Sequence, residues 1–372
     1  MTSAVEHLSK LIRIASNSAV SNRPVIEYAA DVLHSLGWTT RALPYRDPQQ
    51  VEKVNLIAAP PGQNISAHDA DLVLMCHTDT VPFAPDWDRA LDPFIRNGHL
   101  HGRGACDVKG FLACILAAAS AEPQLIDGLR IVLTADEEVG CIGAGHLVAD
   151  NALRPRRVII GEPTSLRPAR AGKGYYLAGI TVTGKEAHSA HPQEGVSAIY
   201  RAARLITAIE DFATQLAQEQ NSFFDPPYTT LNIGTIRGGT AKNIVAGSCS
   251  FELEWRPIPG QAPNAVMDSV TTIVADLQRS DRFHAEIRPV RQQPGFETPA
   301  ASPLVQQVER LTGRAAVSIP FGSEASLFAP IATEVIVFGP GDMRTAHSSR
   351  ECVPLAELEE AVAILRTLIR PA

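Results

Sequence analysis

Three apolar runs in this chain end in side chains able to hold a metal ion or move a proton. Leu72-Val-Leu-Met-Cys-His77-Thr-Asp79 runs into an imidazole and a carboxylate, Ile131-Val-Leu-Thr-Ala-Asp136-Glu137-Glu138 into adjacent acids, and Arg157-Val-Ile-Ile-Gly161-Glu162-Pro163 into another. Short apolar runs of this type read as buried strands of a parallel sheet, and in such sheets chemistry collects where strands end. Residues two apart on a strand share a face, so His77 and Asp79 can serve one site, the imidazole binding a metal while the carboxylate holds its ligating tautomer. Glu137 and Glu138 cannot easily point at one spot, which suits one to ligation and the other to general-base work on a metal-bound water. Asp107 lies in the glycine-bracketed loop Gly102-Arg-Gly-Ala-Cys-Asp107-Val-Lys-Gly110, and His347 follows a strand that ends in Gly339-Pro-Gly341.

Together His77, Asp107, Glu138, Glu162 and His347 make a set of two imidazoles and three carboxylates, a mix that suits Zn²⁺, Co²⁺ or Mn²⁺. Five protein ligands exceed what one catalytic zinc takes but fit two divalent ions if one carboxylate bridges. Two such ions against three carboxylates leave positive charge that favours a bridging hydroxide, available because metal binding lowers the pKa of water from 15.7 to about 7.

The elements that must carry these residues follow from the rest of the pattern. With 372 residues, 45% hydrophobic and 20% charged, the chain reads as an ordinary globular protein of two domains. A net charge of -7 with no basic stripe argues against nucleic acid. No run has the length of a membrane span, and the first residues show no signal-peptide pattern, so a cytoplasmic location is expected. The six cysteines form no C-x-x-C pair and read as small buried thiols. Helices are expected over 5–14 and 24–36 and strands over 38–43 and 55–59; a short hairpin about Asn97-Gly98 follows, then a helix over 111–119 that is apolar all round.

After Arg170 the pattern becomes β-α-β-β-α-β: a strand over 175–183, a helix over about 195–218, strands over 229–237 and 244–255, a helix over about 264–277 and a strand over 283–290. That is a ferredoxin-like unit. The expected class is therefore α/β: a doubly wound, mostly parallel-sheet catalytic domain from 1–172 and 291–372, interrupted by a ferredoxin-like α+β domain at 173–290. Gly140 to Gly145 has the glycines of a dinucleotide loop but follows a carboxylate pair and lacks an acidic ribose partner. His34, His99, His101 and His146 read as surface or structural residues, Asp136 as structural, and Arg103 as a brace for the Asp107 loop.

The strings His77-Thr-Asp79-Thr-Val, Gly102-Arg-Gly-x-x-Asp107-x-Lys-Gly, Asp136-Glu137-Glu138-x-Gly and Gly161-Glu162-Pro163, with the late His347, resemble the dinuclear zinc aminoacylases and carboxypeptidases of the M20 metallopeptidase family. The resemblance runs over almost the whole chain, with the motifs in order. It implies that Asp107 bridges two Zn²⁺ (or Co²⁺) ions, that His77 and Glu162 complete one and Glu138 and His347 the other. It further implies that Glu137 is the general base, that Asp79 orients His77, and that the inserted domain is a lid and homodimer contact. His188 in Gly184-Lys-Glu-Ala-His188-Ser matches the family's oxyanion donor, which in many relatives reaches a partner subunit's site. Asn243, Arg256, Gly322 and Ser323 match positions that hold the substrate carboxylate and acyl group. Where relatives commonly read Gly-x-Asn-Ala, this chain has Gly195-Val-Ser197-Ala.

Arg256-Pro-Ile-Pro-Gly260 and Phe321-Gly-Ser-Glu324-Ala look most like the subgroup that deacetylates acetylornithine, and Glu324 is expected near the substrate's side-chain ammonium. Succinyl-diaminopimelate, acetylcitrulline, other acyl-amino acids and dipeptides are the alternative substrates. A non-catalytic binding protein on the same scaffold is the alternative class.

Overall fold

A computed structural model describes residues 2–66, 68–281 and 283–371. The chain divides into two compact units: one holds the chain up to Ala171, Glu297–Val317 and everything from Ser323, and the other Gly172–Phe296 with Ser318–Gly322. The division thus falls at Phe296 where the sequence suggests 290, and Ser318–Gly322 lies in the second unit although its position late in the chain places it with the first.

In the first unit a large sheet runs in the order Thr39–Arg46, Glu52–Ala59, Leu129–Thr134, Asp69–His77, Arg154–Ile160, Glu334–Val337, Ala169–Gly172, Phe296–Glu297. Its middle is parallel: Asp69–His77 pairs in parallel with Leu129–Thr134 and Arg154–Ile160, and Glu334–Val337 with Arg154–Ile160. The flanking pairs, including Thr39–Arg46 on Glu52–Ala59, are antiparallel. Parallel pairing has a direct consequence for function. All four middle strands end at one edge, which gathers His77, the 136–138 acids, Glu162 and the His347 loop there.

Toward their C-terminal ends the middle strands are mainly apolar on both faces and buried, as parallel strands covered twice must be. One face packs on the helices Ala4–Ile12, Arg23–Ser35, Lys109–Ala121, Pro303–Thr312 and Leu355–Ile369. On the other side, Ile142–Ala149 packs on Glu52–Ala59 and on the short helix Ala325–Phe328. Lys109–Ala121 is buried at every position from Lys109 to Ala119, which explains its lack of a polar stripe. Its Phe111 ring lies where a side chain on residue 161 would stand, a Cβ there meeting the ring at 2.1 Å. Gly161 is thus what lets the helix approach the strand end beside Glu162.

The second unit is an antiparallel sheet in the order Thr230–Gly238, Ser248–Arg256, Tyr175–Thr183, His284–Gln293, with the helices Ala198–Leu216 and Ala265–Ser280 packed on it. Alternation on Ser248–Arg256 turns Cys249, Phe251, Leu253 and Trp255 inward. The order is that of the expected β-α-β-β-α-β unit. One expectation fails in detail: 244–255 is not one strand. Ala246 and Gly247 bond to Ala198 and Gly184, and the freed Ile244–Val245 pairs with Ala187–His188. The Asn97-Gly98 hairpin forms, both residues at positive φ.

Candidate metal centre

Asp107 stands between two imidazoles. Its Oδ1 lies 3.1 Å from His77 Nε2 and its Oδ2 3.0 Å from His347 Nε2. Glu162 Oε1 is 4.0 Å from His77 Nε2, and Glu138 Oε2 is 3.3 Å from His347 Nε2. All five residues that the sequence suggests as ligands therefore meet within the first unit, paired on the two sides of Asp107. Ligand atoms of His77, Asp107 and Glu138 lie within 4.8 Å of one another. Glu138 Oε1 is buried with no hydrogen-bond partner, an uncompensated acceptor that a cation would satisfy. The donor set, the two-sided Asp107 and this orphaned oxygen all fit a pair of divalent ions.

The electrostatics agree. Burial works against a charge on His77, but the hydrogen bond to Asp107 and the nearby Asp79 carboxylate, 3.6 Å away, outweigh it and hold the imidazole proton well above its usual range. His347 is pushed up to about 10 by its contact with Asp107, then by that with Glu138. Burial, and then Asp107, drives the Glu162 carboxyl well upward. The pocket therefore carries more negative charge than its histidines balance, and metal binding there must release protons. His347 adopts a left-handed φ of 58°, a conformation that a non-glycine residue keeps only where its surroundings demand it.

Glu137 sits beside the ligands without joining them. Its carboxylate accepts a hydrogen bond from Cys141 Sγ at 3.3 Å, and burial pushes it up to about 8. A group with that proton affinity can take and return a proton near neutral pH. The turn that carries it is fixed from two sides. Asp79 Oδ1 accepts the Glu137 backbone N–H at 3.1 Å, and Asp79 Oδ2 accepts that of Glu138 at 3.3 Å and the Ser18 hydroxyl at 2.7 Å. Beneath it, Asp136 (φ 59°) takes the Tyr45 hydroxyl at 2.9 Å and lies 2.9 Å from the Lys53 ammonium.

Asp79 thus works differently from the expectation. The His77 Nδ1–H donates to the Asp79 backbone carbonyl at 3.0 Å, while the nearer carboxylate oxygen is 3.6 Å away. Because a carbonyl can only accept, Nδ1 must carry the proton and Nε2 is left free to ligate.

In the second unit, His188 is exposed and its strand neighbour is Ile244; the Ser189 N–H donates to the Asn243 carbonyl at 3.0 Å, so His188 and Asn243 are adjacent. Arg256 stacks on the Tyr175 ring at 4.5 Å, with Arg291 at 4.4 Å from the same ring. A methyl group on Gly322 would touch Tyr175 at 3.5 Å, which groups Gly322 with Arg256. Ser323 and Glu324 belong to the first unit and are buried, Glu324 with 0% of its surface exposed and neither carboxylate oxygen hydrogen-bonded. Sequence reasoning also missed Lys53, Tyr45, Ser18 and Glu351. Only Lys53, a lysine inside an apolar strand, carries a visible sign of its role.

Comparisons with known proteins agree with this geometry. Residues 73–370 match the model of Peptidase family M20/M25/M40. The chain is 44% identical over 360 residues to an acetylornithine deacetylase of Myxococcus xanthus, covering 96% of this chain and 94% of that one. It is 33% identical to an acetylornithine deacetylase of Proteus mirabilis over 98% and 95% of the two chains. Among solved structures, a tripeptidase from Staphylococcus aureus shares the fold with a TM-score of 0.80 at 23% identity, over 99% and 97% of the chains. A Bacillus subtilis protein described as a dinuclear metal binding peptidase does so with a TM-score of 0.71 at 14% identity, over 98% and 96%. Fold and site define a metallohydrolase that acts on an amide bond. The chain belongs to Peptidase family M20/M25/M40.

Proposed function

We propose that this chain hydrolyses the amide of N-acetylornithine to ornithine and acetate, a step of arginine biosynthesis. The carrying observation is Asp107 set between His77 and His347, with Glu137 on the adjoining turn. Two relatives that align along nearly the whole chain bear the name acetylornithine deacetylase. In this reading His77, Glu162 and Asp107 hold one divalent ion and Glu138, His347 and Asp107 the other, Zn²⁺ or Co²⁺ in each place. Bound there, such ions polarise an amide carbonyl and bring the pKa of water down to about 7.

The protein's own part is proton transfer and orientation. Glu137 takes the proton of the attacking water and delivers it to the departing amine. Asp79 keeps Glu137 and Glu138 aimed apart, and His77 is held by its Nδ1–H so that Nε2 faces inward. Arg256 suits the substrate carboxylate because a guanidinium pairs with it through two parallel bonds, with Asn243 and Gly322 as further contacts. A panel of N-acyl amino acids that includes acetylornithine, acetylcitrulline, succinyl-diaminopimelate and a dipeptide tests the substrate. Acetylornithine should show the highest kcat/KM. A higher value for any other member would replace it.

The second unit serves in this reading as lid and homodimer contact, with His188 donating a hydrogen bond to the oxyanion in the partner subunit; loss of such a donor costs about 2.7–4 kcal/mol of transition-state stabilisation. Mixing Glu137→Gln chains with His188→Ala chains should restore activity, because one site of each mixed dimer then has both groups. A mixture as inactive as its components would remove the shared-site arrangement. The cytoplasm is the proposed location. Among the described residues the six cysteines form no disulfide, as expected in a reducing compartment, and no helix is long and apolar enough to cross a membrane.

A further inference from the structure

Glu351 is completely enclosed, and its carboxylate is divided between two tasks. Oε2 takes a hydrogen bond from Arg103 Nη1 at 2.6 Å. Oε1 takes the backbone N–H groups of Cys106 and Asp107, each at 3.3 Å. Its own carbonyl accepts the Gly102 N–H at 3.3 Å, and its N–H donates to the Ser348 carbonyl at 3.2 Å. Arg103 is fixed in turn by the Pro82 carbonyl and by stacking on Trp87 at 5.0 Å. A single residue, four positions after His347, therefore clasps the 102–107 loop along its length.

The two imidazoles differ in how they are held. His77 has its Nδ1–H on a backbone carbonyl at 3.0 Å. His347 has no protein hydrogen bond at Nδ1 among the described residues, and about half of its side chain is exposed. What remains to set its place opposite Asp107 is its backbone, and Glu351 ties that backbone to the Asp107 loop. A need for stability alone explains this poorly, since a buried ion pair is often no better for stability than an apolar pair of the same shape. Glu351 also uses one carboxylate oxygen on the peptide N–H of the bridging ligand itself.

We propose that Glu351, braced by Arg103, is a positioning residue that fixes the separation of Asp107 and His347 and so selects for the metal ion held on the His347 side. The inference rests on the two-ion reading above. Groups that support metal ligands in this way typically matter by roughly 10–100-fold in metal affinity. The effect should be one-sided, because His77 keeps its own anchor.

Metal-free wild type and Glu351→Gln are titrated with Co²⁺, following heat and the visible absorption of bound cobalt. Glutamine keeps the volume but must present a donor either to Arg103 or to the two N–H groups. The first ion should bind the variant as it binds wild type, and the second roughly 10–100-fold more weakly. Unchanged affinity for both ions, or equal weakening of both, would overturn the proposal. A wild-type chain that takes up a single ion would instead remove the two-ion reading beneath it. If Glu351→Gln does not fold, Arg103→Lys, which keeps the charge but loses the fork, is titrated in its place and judged by the same outcomes.

Discussion

Replacing Glu137 with glutamine should lower kcat by roughly 10²–10⁴-fold, the usual worth of a positioned general base, while metal content and melting temperature stay at wild-type values. The variant isolates proton transfer because the hydrogen bonds that place Glu137 do not depend on its charge. Its contact with Cys141 is one that an amide oxygen can keep, and the turn is held by backbone N–H groups bonded to Asp79. Glutamine has nearly the same shape but no basic oxygen. KM should change little, since the group acts on a proton and not on substrate binding. A variant that turns over at the wild-type rate would remove Glu137 from the mechanism and leave the ligand geometry without its base.

The largest effect on stability is expected at Lys53. The side chain is 1% exposed, and its ammonium donates to the Ser18 and Val20 carbonyls at 2.6 and 2.9 Å while lying 2.9 Å from Asp136 Oδ1 and 3.8 Å from Asp47 Oδ2. Two of its three N–H groups go to the carbonyls and Asp136 Oδ1 receives no hydrogen bond, so the contact with Asp136 is mainly one of charge. In Lys53→Met the Asp136 carboxylate, itself 1% exposed, keeps the Tyr45 hydroxyl but loses its counter-charge. Breaking a buried pair in this way costs about 3–5 kcal/mol, and denaturant unfolding should report a loss of that size. Lys53→Met with Asp136→Asn should recover part of it, because the nearer charge is then gone and only that of Asp47, 3.8 Å from the wild-type ammonium, is left without its partner. If Lys53→Met unfolds at the wild-type denaturant concentration, the pair does not carry the turn beneath Glu137.

How far the sequence revealed this arrangement depends on the direction of each interaction. The ligands were legible because a parallel sheet converts a one-dimensional pattern, an apolar run closed by an acid, into a shared location; His77, Glu138 and Glu162 come from three such runs. Asp107 and His347 lie outside strands, but glycine-rich loops at the same edge brought them within reach. Of the residues that hold these ligands, Arg103 was legible as a brace for the Asp107 loop, but its partner was not. Glu351 and Arg103 meet across 248 positions, and neither periodicity nor local turn chemistry links them. Asp79 shows the limit of spacing arguments. His77 and Asp79 do share a site, but the strand ends at His77; the Asp79 backbone carbonyl orients His77 and its carboxylate gathers two peptide N–H groups. The complete enclosure of Glu324 was not legible either, because a carboxylate next to small residues in a glycine-containing loop carries no sign of its burial. The second unit was read from alternation alone, and its one misread strand broke at Ala246-Gly247, where bonds to distant backbone outweighed local propensity.

Hydrolysis by this chain depends most on a pair of cations gathered by side chains spread from His77 to His347. Elemental analysis of pure protein, saturated with Zn²⁺ and freed of loosely held metal, tests it directly. Two ions per chain are predicted, falling below two when Asp107 is changed to alanine. A saturated wild-type chain that holds one ion or none would contradict it.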